Sequence, residues 1–68
     1  MYKIILHIKG AKNLSSKNYF EPEARQIYND LRKQFSDRNV RAIEIETAYG
    51  NFVTKNCDNI DSIELKEI

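Results

Sequence analysis

The hydrophobic period of this chain changes twice, from two to about 3.6 and back to two, which restricts it to architectures that flank one helix with strands. Along residues 2–9, Tyr2, Ile4, Leu6 and Ile8 fall on one face of an extended segment, while Lys3, Ile5, His7 and Lys9 fall on the other. This is the pattern of a half-buried strand, and Gly10 ends it. Residues 10–20 have no clean period and are rich in Asn and Ser. They read as a connecting loop that Leu14, Tyr19 or Phe20 pins to the core.

The helical period begins at Glu21-Pro22-Glu23. Proline suits the first helical position, where its missing N–H would have had no partner, and Glu23 places a carboxylate at the positive end of the helix dipole. Ala24, Ile27, Tyr28, Leu31 and Phe35 then recur at three and four residues as one apolar stripe over residues 22–36. Glu21 and Arg25 form a favourable i,i+4 pair on the solvent side. From Val40 the period returns to two. Ile43, Ile45, Thr47 and Tyr49 share one face, and Gly50-Asn51 reads as a two-residue hairpin loop. That loop pairs Tyr49 with Phe52, Thr47 with Thr54 and Glu46 with Lys55. After the turn-rich Asn-Cys-Asp-Asn cluster, Ile60 is expected to anchor the turn, and residues 62–67 form a last strand with Ile63 and Leu65 inward. The expected fold is therefore α+β: a two-layer βαβββ domain, a four-stranded mostly antiparallel sheet with one helix on one face.

Length limits what can stabilise such a fold. Sixty-eight residues allow one domain, 1–68, and a chain of that size buries only about 60% of its unfolded surface. Small domains draw support from disulfides, metals or association. Cys57 is the only cysteine and His7 the only histidine, too few for an internal disulfide or a structural zinc site. Association is the remaining route. A lone thiol fits a reducing compartment, residues 1–8 are interrupted by Lys3 and His7, and no run approaches the ~20 apolar residues of a membrane span. The expectation is a cytoplasmic protein with no membrane partner. Seven Lys, seven Asn and nine Ile against two Val suggest AT-rich coding, common among small phage and plasmid proteins.

Charge is uneven along the chain. Residues 1–41 hold nine basic and four acidic side chains, whereas residues 42–68 hold two and six. Each candidate constellation has a plainer reading. Glu44 and Glu46 share a strand face, but an open face does not desolvate a carboxylate as an acid/base pair requires. His7 has no predictable nucleophile or orienting group. Asn56, Asp58, Asn59 and Asp61 lack the glycine and the alternate ligand of a calcium loop. The Gly10 segment lacks the second glycine and Gly-Lys-Ser/Thr ending of a phosphate loop. No enzyme activity, cofactor or metal is expected.

What remains is surface. The sheet face away from the helix is expected to show Ile5, His7 and Val53 among Lys and Glu, beside a loop carrying Lys9, Lys12, Lys17 and Tyr19. Open faces and edges of this kind receive partners. The leading expectation is a non-enzymatic protein-binding module, an inhibitor or regulator of a host protein, acting through those residues. A nucleic-acid or nucleotide binder using loop 9–19, with Tyr19 or Tyr2 as a stacking surface, is the alternative. A homo-oligomer subunit, built as a symmetric dimer, is the third.

Overall fold

The computed structural model describes residues 1–68. Five strands and one helix follow in the order β1 (Tyr2–Ile8), β2 (Leu14–Ser15), α1 (Glu21–Ser36), β3 (Ala42–Glu46), β4 (Phe52–Asn56) and β5 (Ile60–Glu67). The class is α+β with one helix, as the period switch implies. The strands do not form one four-stranded sheet. They make a three-stranded sheet in the order β2-β1-β5 and a separate β3–β4 hairpin. Every pairing is antiparallel, and the strand after the helix does not pair with β1. A three-residue 3-10 turn, Cys57–Asn59, leads into β5, and the Asn56 side chain caps it by accepting from the Asp58 N–H at 2.9 Å.

The apolar stripe of α1 faces the strands. Ala24 and Leu31 are buried, and Ile27, Tyr28 and Phe35 are half-buried beside them. Leu31 meets Ile4 and Leu6 from β1, Ile43 and Ile45 from β3, and Ile60 from β5 in a single cluster. One helix therefore covers both sheets, and a shared core unites what the backbone ladders leave separate.

Residues 10–20 contain a strand that periodicity does not show. Gly10, with φ +67°, takes the left-handed position in the turn after β1, and the chain doubles back. Ile5 then pairs with Ser15 and Leu6 with Leu14. Tyr2 and Tyr19 exchange both backbone bonds at 2.8 Å, closing the far end. Between these points the returning segment after β2 holds three residues, 16–18, against two of β1, a bulge. There the Ser16 N–H donates to the Ile4 carbonyl, but the Ile4 N–H donates to Ser16 Oγ instead of to the Ser16 carbonyl, both at 2.8 Å. The backbone turns outward, and the Lys17 N–H reaches the Glu46 carbonyl at 2.8 Å. This is the one backbone hydrogen bond that joins the two sheets. Of the expected anchors, Tyr19 is buried and Leu14 half-buried, while Phe20 is exposed.

The hairpin register also differs from expectation. Ile45 pairs with Val53, Glu44 with Thr54 and Glu46 with Phe52. The loop is the three residues Ala48-Tyr49-Gly50, closed by Thr47 N–H to the Asn51 carbonyl and Gly50 N–H to the Thr47 carbonyl. A two-residue Gly50-Asn51 turn of the type I′ kind needs positive φ at both residues. Only Gly50, at +83°, has it, and no non-glycine residue does. Gly50 instead supplies the left-handed residue that ends a three-residue loop. The register moves by three, an odd number, which turns every β4 side chain to the other face. Val53 thus lies beside Ile45 on the core side, not on the open face, and Tyr49 is fully out in solvent. Space around Gly50 is free, so replacing it tests backbone conformation alone. Gly50→Ala should lower unfolding free energy by about 1–2 kcal/mol, the cost of a left-handed L-residue. A denaturant midpoint that does not move would refute the loop assignment.

The last strand begins at Ile60, two residues earlier than its period suggests, because a bulge at Asp61 carries the β1 pairing past it to Ile8. Ile60 is buried, and Ile63 and Leu65 face inward as expected.

Candidate functional site

Strand alternation places Lys3, Ile5 and His7 of β1, Ser15 of β2, and Ser62, Glu64 and Lys66 of β5 on the face away from α1. Its polar groups are paired in part, while Lys3 and Lys66 stand opposite each other without an ion-pair partner. His7 Nε2 lies 2.8 Å from Glu64 Oε1. On the hairpin, Thr54 Oγ1 donates to Glu44 Oε2 at 3.4 Å, and Lys17 Nζ sits 3.1 Å from Glu46 Oε1. Ile5, between its cross-strand partners Ser15 and Glu64, is only 8% exposed. The apolar centre expected on this face is thus largely closed.

The residues proposed from sequence are brought together in part. Ile5 and His7 share the open face, Lys17 and Tyr19 lie together beside Tyr2 at the start of β1 and not on that face, and Val53 is on the opposite side. Tyr19 is buried, with Lys17 Nζ 5.4 Å from its ring centroid. Lys9 and Lys12 are exposed and unpaired in the turn after β1. That turn and the Tyr2–Tyr19 pair occupy opposite ends of β1, about 23 Å apart at the usual strand rise. Lysines and stacking rings therefore do not form one surface.

The groups with displaced protonation equilibria gather at the Tyr2 end. The Tyr2 hydroxyl donates to Glu21 Oε2 at 2.8 Å, and Arg25 Nη2 donates to the same oxygen at 3.1 Å. The Arg25 guanidinium also lies 5.7 Å from the Tyr2 ring centroid. Accepting the Tyr2 hydroxyl and then the Arg25 guanidinium holds the Glu21 carboxyl below its usual range. Hydrogen bonding to Glu21 raises both Tyr2 and Arg25, bonding to Glu46 raises Lys17, and burial raises Tyr19. Every shift moves a group's titration away from neutral pH and fixes the protonation state it already has there. A general acid or base needs the reverse. The cluster is a clamp between β1 and the start of α1.

This clamp sets an acid dependence. Because the folded Glu21 carboxyl titrates below its unfolded value, its contribution is present above about pH 4.3 and is lost as pH falls through the folded pKa. Tyr2→Phe removes the largest cause, so the Glu21 titration midpoint should rise toward the ordinary carboxylate value and the acid-side loss of stability should shrink. Carboxyl NMR titration of both proteins reads this directly, and an unmoved midpoint would contradict it.

The edge of β5, the longest strand, is a further accessible feature. The Ile68 N–H donates to the Met1 carbonyl, in register with Lys3–Lys66, Ile5–Glu64 and His7–Ser62. Even-numbered β5 residues from Ser62 onward therefore direct their backbone groups at β1, and Ile63, Leu65 and Glu67 direct theirs outward. No strand lies on that side, and these outward groups have no partner within the chain. Beside the edge, Tyr28, Arg32, Phe35 and Ile63 line a groove of about 340 Å³ between α1 and β5. Sequence reasoning named an open edge without locating it. The edge becomes visible only once β1 is known to be central.

These features define a small α+β domain whose accessible chemistry includes the unpaired edge of β5, its longest strand, beside a largely polar sheet face. Comparison of the chain with protein-family models, curated proteins and solved structures finds no match. No helix is long and apolar enough to cross a membrane.

Proposed function

We propose that this chain is a non-enzymatic protein-binding module that takes another polypeptide onto the β5 edge, with the adjoining open face as its rim. The observation that carries the reading is the outward row of backbone groups at Ile63, Leu65 and Glu67. Exposed edges offer a template for strand addition, in which main-chain hydrogen bonds supply affinity and alternate side chains supply specificity. His7 and Glu64 lie beside this edge, while Lys9 and Lys12 mark the far end of β1. The module acts by occupying its partner, as an inhibitor or regulator of a host protein does. The half-buried lone thiol of Cys57 suits a reducing, cytoplasmic setting.

A photo-crosslinking residue at Glu67, compared with one at Gln26 on the exposed side of α1, tests this in cells. Adducts confined to position 67 support the reading, and equal yields at both positions end it. The nucleic-acid reading now rests on Lys9 and Lys12. Its mark would be binding to single-stranded oligonucleotides that falls steeply with salt and vanishes in Lys9→Glu/Lys12→Glu.

A further inference from the structure

We infer that the polypeptide on the β5 edge is a second copy of this chain, paired antiparallel about a two-fold axis through Leu65. This rests on the edge-binding reading above and names its partner. Two copies that share one edge must place outward-facing residues opposite outward-facing residues, so only a few registers are open. Centring on Glu64 sets that carboxylate against itself. Centring on Lys66 does the same with two ammonium groups, and centring on Ile63 runs the partner into the Asp61 bulge. Centring on Leu65 places Glu64 opposite Lys66 of the second copy, and Lys66 opposite its Glu64. Both are non-hydrogen-bonded pairs, where cross-strand side chains approach closest.

Two further observations support this register. Within the chain Lys66 stands opposite Lys3, a like-charge pair, and has no ion-pair partner. The second copy's Glu64 supplies one. On the helix side, Ile63 faces Glu67 of the second copy, beside the groove where Arg32 lies over the Tyr28 ring at 5.6 Å without a carboxylate partner. Each copy thus carries an unpaired cation positioned for an acid of the other on both faces. Joined in this way, the two three-stranded sheets become one continuous six-stranded sheet.

Analytical ultracentrifugation over a concentration series should show a mass near twice 8.0 kDa. Lys66→Glu places glutamates opposite each other in both symmetry-related pairs and should weaken association about tenfold or more. It also turns the Lys3 pair within the chain into an attractive one, so thermal unfolding of the monomer should be unchanged or improved. Glu64→Lys/Lys66→Glu should restore the dimer. Hydrogen exchange on the unsubstituted chain should show the Ile63, Leu65 and Glu67 amides gaining protection as concentration rises. A strictly monomeric chain, an association indifferent to Lys66→Glu, or a charge swap that fails to restore it overturns the inference. A monomer that still crosslinks to another protein only at position 67 would overturn the second copy and leave the binding module standing. A monomer without such adducts removes both.

Discussion

Leu6→Ala should unfold a large fraction of this protein at physiological temperature. Leu6 is fully buried and sits with Ile4, Leu31, Ile43, Ile45 and Ile60 in the only cluster that joins α1 to both sheets. Truncating a buried leucine removes its transfer free energy and leaves a cavity, a combined cost of about 2–5 kcal/mol. A domain of this length holds roughly 3–10 kcal/mol in all. The loss is therefore comparable to the total, and the melting temperature should fall by more than about 10 °C. Circular dichroism melts read the effect. Lys12→Ala, in the exposed turn, is the control and should stay within about 0.5 kcal/mol. A melt for Leu6→Ala within a few degrees of the parent would mean that the two sheets do not share this core.

Ser16→Ala should be the most damaging polar substitution, at about 1–3 kcal/mol. Ser16 is 4% exposed, and its hydroxyl accepts from the Ile4 N–H and donates to the Lys17 carbonyl, each at 2.8 Å. Alanine leaves the Ile4 N–H unpaired beneath a fully buried residue. The alternative is for the bulge to relax so that the Ser16 carbonyl turns back to Ile4, and that movement breaks the Lys17–Glu46 bond between the sheets. Amide exchange separates these outcomes: loss of protection at Lys17 reports relaxation, and loss at Ile4 reports the orphaned donor. Ser16→Thr keeps the hydroxyl and should retain most of the stability, whereas Ser15→Ala should be nearly neutral. If Ser15→Ala and Ser16→Ala cost the same, the hydroxyl has no special place in the bulge.

The parts of this fold legible in the sequence are those with a long, one-sided period. The α1 stripe ends where Ser36 and Asp37 interrupt it, and the β1 alternation identifies Ile4 and Leu6 as core before any pairing is known. What was hidden depends on pairing. β2 holds only two regularly paired residues before Ser16 replaces its own carbonyl with a hydroxyl, so Ser-Ser-Lys-Asn looks like loop. Gly50 fits two hairpin geometries, and the choice between them decides which way Val53 points. Ile5, on the polar side of its strand, is buried because β2 and β5 flank β1 on both edges, and strand order has no local signature. The candidate site follows the same rule. His7 and Lys17 were visible as polar residues near a strand, but their partners Glu64 and Glu46 come from strands whose placement no local pattern reveals.

The position of β1 between β2 and β5 also has a kinetic consequence. Ile5 meets Ser15 about ten residues along the chain but meets Glu64 about sixty residues along. The first contact closes a short loop, and the second must wait for almost the whole polypeptide to be gathered in, at a larger entropic cost. The hairpins and α1 can form within their own segments, so docking of β5 is the step expected to set the refolding time. Substitutions along β5 that weaken its seat on β1 should therefore slow refolding, and those in the Ala48-Tyr49-Gly50 loop should mainly hasten unfolding.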